Sequence, residues 1–193
     1  MNNLIIFILL IIILLYFILN KFNADSGIEN ANIKTNCDKK SDQLKLLHLL
    51  ANELILQREY AIRFVNKLGN QADLLEQIRM NNYNIIAVIC KYQPASNQTH
   101  IKELFDQRIN LLDKLIISMV TNYTDGYIDT SEKLVQNINL ICDMTNKKSC
   151  RKIYIDYITN LDDMFRKITN QKSALDSFNK LNGLIMKLSI SLI

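Results

Sequence analysis

The sequence predicts an all-α protein in which an N-terminal transmembrane helix precedes an antiparallel helical bundle of about five to six helices. Leu4 to Leu19 are sixteen consecutive apolar residues without a charge, a Gly or a Pro. From Ser41 onward, apolar residues recur mainly at steps of three and four, which is the period of an amphipathic helix. The chain of 193 residues contains one Pro and four Gly, so few positions interrupt such helices.

The first predicted element is a membrane anchor over residues 1–22. A helix rises about 1.5 Å per residue, so the apolar run covers roughly 24 Å and, with its flanking Asn residues, just reaches across the hydrocarbon core of about 30 Å. Each Leu, Ile or Phe favours insertion by about 0.3–0.6 kcal/mol, and the sum is about 5 kcal/mol. A cleaved signal peptide is the alternative, but Met1-Asn2-Asn3 contains no basic residue and only Ala24 suits a cleavage site.

The charges beside the anchor predict its orientation. Lys21, Lys34, Lys39 and Lys40 all follow the apolar run. Positive residues stay on the cytoplasmic side, so we expect a single-pass protein with its C-terminal domain in the cytoplasm. The composition leans to Asn, Ile and Lys, whose codons are AT-rich. We therefore expect a large DNA virus or a protist as the source, with a viral membrane as one location.

After a predicted polar linker at residues 23–40, the bundle domain occupies residues 41–193. Its first helix opens at Ser41, which is a favourable N-cap residue. It ends at Leu68-Gly69, where Gly is expected to supply the left-handed residue that terminates a helix. The second helix runs from about residue 70 to residue 92 and ends before Pro94.

Four further helices complete the predicted bundle. The third runs over about residues 96–122 and is broken by the Thr124-Asp125-Gly126 turn. The fourth covers about residues 130–144, and the fifth starts at the capping residue Ser149 and reaches about residue 169. The last begins near Ser173 and continues to the C-terminus. Apolar positions such as Leu112 and Phe178 face inward. Short connections between long helices indicate antiparallel neighbours.

The composition argues against several classes of function. The chain has 23 basic and 19 acidic residues, interspersed along its length, which is no electrostatic footprint for nucleic acid. His48 and His100 are the only histidines, and no Glu-x-x-His pair, C-x-x-C pair or Gly-rich phosphate loop occurs. We therefore predict no catalytic, cofactor-binding or metal-binding residue, and we lean against an enzyme.

Two of the four cysteines suit a disulfide. Cys142 and Cys150 flank the polar stretch Asp143 to Ser149, which reads as the turn between the fourth and fifth helices. The ends of such a tight antiparallel connection come close enough for a disulfide. The alternative is that all four cysteines are reduced thiols, most of them buried.

Four stretches of the bundle domain carry patterns that can be compared with known families. They are Leu50 to Arg58, Met80 to Ile85, Leu104 to Ile116 and Ala174 to Leu184. These stretches look like the L-W-x-x-H-x-x-W-T-R, R-N-x-x-D-I, F-x-x-L-x-x-E-H-L and D-I-x-x-Y-D-x-I-x-x-H patterns of a family of small bacterial all-helical proteins of unproven activity. Members of that family are often labelled acetylglutamate kinase or glycosyltransferase. The resemblance covers most of Leu44 to Leu188 and implies the same helical fold.

The resemblance does not carry the family's histidines. The matching positions hold Glu53, Arg108, Tyr157 and Leu184, and the family's Asp in the second helix is Asn84 here. If the family uses a His and Asp cluster to bind a metal or a substrate, this chain lacks it.

Four polar residues nevertheless form a candidate cluster at the centre of the predicted bundle, namely Arg58, Asn81, Asn84 and Arg108. Arg58 lies on the apolar first helix and is expected to pair with an acid such as Asp113 or Asp163. A buried polar cluster at these positions favours a divergent enzyme or ligand-binding relative of the family. A core of Leu and Ile alone favours a scaffold. We predict a membrane-anchored bundle with a structural or protein-interaction role, whose partners are the membrane and other proteins.

Overall fold

A computed structural model of the protein describes residues 30–145, 147 and 150–193, with side chains from Asp38 onward. The predicted anchor at residues 1–22 lies outside the described residues, as do residues 23–29 of the predicted linker. The described residues form α-helices and no strand, which confirms the all-α prediction. The helices are α1 (Asn30–Val65), α2 (Gln71–Cys90), α3 (Ala95–Val120), α4 (Thr124–Met144), α5 (Cys150–Thr169) and α6 (Leu175–Ser191). None of these helices has the length and apolar content needed to cross a membrane.

Consecutive helices of the unit Lys39–Ile193 lie antiparallel. In neighbouring pairs, residues early in one helix contact residues late in the other, or residues near the middle of both helices meet. The contacts that show this are Asp42 with Lys91 and Asn52 with Asn81 (α1 and α2), Asn82 with Asp106 (α2 and α3), Asn97 with Met144 (α3 and α4), Tyr127 with Asp162 (α4 and α5) and Asp163 with Ser177 (α5 and α6). The antiparallel arrangement predicted from the short connections is therefore present.

Helix α1 starts well before its predicted position. It begins at Asn30, so residues 30–40 of the predicted linker are helical, whereas we expected a start at Ser41. The polar composition of this segment suggested a linker. However, no Gly or Pro lies between Gly27 and Gly69, so no residue of this segment breaks a helix that continues from the apolar part of α1.

Helix α4 also starts earlier than predicted. It begins at Thr124, so the expected break at Thr124-Asp125-Gly126 is its first turn. Asp125 is favourable there because the first turn of a helix carries partial positive charge. The ring of Tyr123 lies where a side chain on residue 126 would project, so glycine at Gly126 permits this close approach.

The helix ends use left-handed residues other than glycine. Gly69 does not have a positive φ, so that prediction is wrong, and Lys67 adopts φ 54° instead. The N–H of Leu68 then donates to the carbonyl of Arg63 at 2.9 Å, as in a Schellman cap. Asn122 and Gln171 take the same conformation at the ends of α3 and α5. These caps supply hydrogen-bond donors to carbonyl groups in the last turns of the helices without a glycine.

Helix α3 lies at the centre of the core. It packs against α2, α4 and α5, and Arg108 links it to α1. Leu112 is 3 % exposed, as predicted, and is surrounded by buried residues from the other helices. Phe178 of α6 is only partly buried at the edge of this core. The apolar interior is therefore organised around α3.

We predict that Leu112→Ala lowers the free energy of unfolding by about 2–5 kcal/mol, because truncation of a fully buried Leu leaves a cavity. Ile117→Ala on the same helix is the control. Ile117 is 36 % exposed, so its truncation should cost about 1 kcal/mol or less. Urea denaturation of a fragment from Asn30 to Ile193, followed by circular dichroism, measures both. Equal losses in the two variants would contradict the assigned core.

Candidate functional site

A buried ion pair joins α1 to α3 inside the bundle. Glu53 of α1 and Arg108 of α3 are both fully buried, with 0 % exposure. Nη2 of Arg108 lies 2.8 Å from Oε1 of Glu53 and 3.0 Å from its Oε2. The two charges are thus in direct contact where no bulk water screens them.

Two amides extend this pair into a cluster. Gln57 lies one turn after Glu53 on α1, and its Nε2 donates to Oε1 of Glu53 at 2.7 Å. Nη2 of Arg108 also donates to Oδ1 of Asn82 on α2 at 3.1 Å. Asn82 in turn donates to Asp106 at 3.2 Å. We call Glu53, Gln57, Asn82 and Arg108 the buried polar cluster.

Aromatic rings enclose the guanidinium of Arg108. Its Cζ lies 5.1 Å from the centre of the Phe105 ring and 6.0 Å from that of Tyr154. Such contacts stabilise a cation over the electron-rich face of a ring. Burial alone lowers the pKa of Arg108, but the Glu53 carboxylate outweighs burial and holds that pKa above its usual value. Arg108 is therefore charged in the interior.

The phenols beside the cluster are neutral. Tyr154 and Tyr157 of α5 are 1 % and 2 % exposed. Burial raises the pKa of both hydroxyls, and the negative charge of Glu53 raises them further. A base that removes a proton near neutral pH needs a lowered pKa, and neither tyrosine has one.

The structure does not bring the four predicted site residues together. Of these residues, Arg108 belongs to the buried polar cluster. Asn81 is also buried, but it turns toward α1, where its Nδ2 donates to the carbonyl of Leu49 at 2.9 Å. Asn84 and Arg58 are exposed, which corrects their assignment. Asn84 precedes the buried Ile85 by one residue, and that step of about 100° turns it away from the core.

Arg58 does not form the predicted ion pair. Its Cζ lies 5.8 Å from the centre of the Phe178 ring, so it covers an aromatic side chain at the surface. The two proposed acids have other partners. Asp113 accepts a hydrogen bond from Tyr60, and Asp163 accepts from Lys167 and Ser177. Arg58 thus contributes packing between α1 and α6.

Sequence reasoning missed Glu53, Gln57 and Asn82. Glu53 and Gln57 are spaced four residues apart on the same face as the buried Leu50 and Leu54, and this pattern was available in the sequence. Polar residues on an apolar face signal a buried partner, which here is Arg108.

The positions matched to the family's histidines are not scattered. Glu53 and Arg108 form an ion pair. Tyr157 is close enough that the charges of both residues shift the pKa of its hydroxyl. Leu184 is only partly buried and packs elsewhere in the core. Three of the four positions therefore meet at the buried polar cluster.

The cluster is closed to solvent. Four surface clefts occur elsewhere on the described domain, and none of the four is lined by a residue of the cluster. Within the described residues, no group of three His, Cys, Asp or Glu side chains is placed to hold a metal ion. Nε of Arg108, Oε1 of Gln57 and the Tyr154 hydroxyl have no hydrogen-bond partner. The arrangement holds two opposite charges together in the interior of the described domain.

The predicted cysteine pair is in contact. The sulfur atoms of Cys142 and Cys150 lie 2.6 Å apart, and both residues are fully buried as free thiols. The two residues therefore lie close together, as the predicted connection between the two helices required.

Comparison with known proteins gives no relative. No protein-family model, curated protein or solved structure matches the chain. The resemblance to the bacterial helical family therefore stays a prediction.

We predict that Arg108→Met costs about 3–5 kcal/mol of stability, because it leaves the Glu53 carboxylate buried and unpaired. The double variant Glu53→Leu/Arg108→Met should recover most of that loss, since apolar residues of similar size remove both charges. Arg63→Met is the control. Its half-buried surface pair with Glu59, one turn away on α1, should be worth less than about 1 kcal/mol. Chemical denaturation of the four proteins measures these values, and a single variant as stable as the control would contradict the buried pair.

Proposed function

We propose that the chain is a membrane-anchored helical-bundle protein with a structural or protein-interaction role. The observation that supports this best is the closed state of the buried polar cluster. Its charges satisfy each other across α1 and α3, and the described clefts do not reach them. A binding or catalytic site presents its polar groups to a concave pocket that a ligand can enter. The domain is therefore expected to act through its surface.

The anchor in this proposal is the apolar run Leu4 to Leu19. Helix α1 begins at Asn30, so ten residues separate the run from the first described helix. In this proposal the apolar run tethers the chain to a membrane. The role we propose is thus performed at a membrane surface, with the bundle presented to other proteins there.

The predicted anchor can be tested by introducing charged residues into the apolar run. We predict that the full-length protein stays in the membrane pellet after alkaline carbonate extraction, and that Ile11→Arg/Leu14→Arg releases it. Each Arg at the centre of a spanning helix costs about 2.5–3.5 kcal/mol, so two outweigh the roughly 5 kcal/mol that favours insertion.

Leu44→Arg/Ile55→Arg is the matched control for that experiment. Both residues are exposed on α1, at 52 % and 57 %, so the same added charge should leave the protein in the pellet. Release of the wild-type chain by carbonate would contradict the predicted anchor. So would a mature chain that begins near Asp25.

A second candidate function is that of a ligand-binding relative of the bacterial family. The observation in its favour is the set of polar atoms at the cluster that lack a partner, on Arg108, Gln57 and Tyr154. Native mass spectrometry of the purified protein separates the two proposals. A scaffold should show the mass of the chain alone. A small molecule bound to the wild type and absent from Glu53→Leu/Arg108→Met would support the ligand-binding alternative instead.

A further inference from the structure

The corner between α4 and α5 brings two thiols together. Cys142 lies in the last turn of α4, and Cys150 is the first residue of α5. Their sulfur atoms are 2.6 Å apart, about half an ångström longer than a disulfide bond of about 2.05 Å. Only a small movement of the two side chains separates this contact from a covalent bond.

The two sulfur atoms have different surroundings. Cys150 lies at the N-terminus of α5, where the helix carries partial positive charge, and Arg151 is the next residue. The two thiols are in contact, and either can donate its S–H to the other sulfur. This contact is the main reason that the pKa of Cys150 lies below its usual value and that of Cys142 above it. The position of Cys150 at the N-terminus of α5, beside Arg151, favours it over Cys142 as the attacking thiol.

The corner also protects the pair. Both sulfur-bearing residues have 0 % exposure. The backbone N–H of Lys147 donates to the carbonyl of Cys142 at 3.0 Å, and the hydroxyl of Thr145 donates to that of Ile141 at 2.9 Å. Because both residues are fully buried, a reagent can reach the sulfur atoms only after local unfolding around them, so the reaction is expected to be slow without an enzyme.

We propose that Cys142 and Cys150 are a thiol–disulfide exchange site that takes low-molecular-weight disulfides such as oxidised glutathione. The thiolate of Cys150 attacks one sulfur of the reagent, forms a mixed disulfide and releases one reagent thiol. Cys142 then loses its proton and attacks the sulfur of Cys150, which releases the second reagent thiol. Two electrons and two protons pass from the protein thiols to the reagent, and the protein gains one disulfide.

Oxidation would clamp the corner between α4 and α5. The new bond closes a loop of nine residues, Cys142 to Cys150. A loop of this length reduces the freedom of the unfolded chain, and we expect the Tm to rise by about 5–10 °C. The pair therefore suits a protein that meets both reducing and oxidising conditions.

The experiment equilibrates the purified full-length protein in detergent with mixtures of reduced and oxidised glutathione. Acid then stops the exchange, free thiols are alkylated, and tryptic peptides are mapped by mass spectrometry. Trypsin cuts at Lys147 and Lys148, so the disulfide appears as a pair of linked peptides. We expect that pair to form, with the Tm rise above, and to disappear with dithiothreitol.

Cys90 is the control thiol within the same chain. It is also buried, burial raises its pKa, and it contacts a carbonyl rather than a second sulfur. Cys90 should remain a free thiol in every glutathione mixture and should therefore be recovered as the alkylated form. Cys142→Ser should accumulate the glutathione adduct on Cys150, whereas Cys150→Ser should leave Cys142 free.

Two results would overturn the proposal. One is that Cys142 and Cys150 are both alkylated after equilibration with oxidised glutathione, or pair with other cysteines. The other is that Cys142, rather than Cys150, carries glutathione in the single variants, which would reverse the assigned order of attack.

Discussion

The carboxylate of Glu53 and the guanidinium of Arg108 meet inside the bundle, where neither is exposed to water. Removing such charges from water costs several kcal/mol per ion, and only close contact offsets that cost. The contact exists at one register of α1 against α3, because a slide of one turn moves the groups apart by about 5.4 Å. Since α3 also packs on α2, α4 and α5, this pair relates α1 to most of the core.

This constraint bears on function as well as on folding. Gln57 and Asn82 bind the charged groups, and the rings of Phe105 and Tyr154 lie beside the Arg108 guanidinium. The two charges of the interior are thus directed at each other, which is the observation behind the proposed structural role.

The sequence predicted the parts of the fold that depend on local pattern. Strong apolar periodicity gave α2, α3 and α5 nearly their observed bounds, and the short turn gave the contact between Cys142 and Cys150. The early starts of α1 and α4 were missed because polar composition and Gly126 suggested irregular structure. Both segments are compatible with a helix, and the helix continues through them.

The candidate site was harder to predict, since periodicity shows which face of a helix is buried but not which residues meet across helices. The partner of Arg108 is 55 positions earlier in the chain, and the exposed Arg58 and Asn84 were preferred to Glu53 and Asn82. The relative position of α1, α2 and α3 brings Glu53 and Asn82 to Arg108, and only tertiary packing determines that position.

The exchange of guanidinium protons with water reports whether the Glu53–Arg108 pair is closed to solvent. We predict that NMR shows slow exchange for the Arg108 side chain, because it is buried and bound to Glu53 and Asn82. The side chain of Arg166, which is 50 % exposed, should exchange rapidly in the same sample. Equally rapid exchange at Arg108 would show that solvent reaches the cluster and would contradict the closed ion pair on which this account depends.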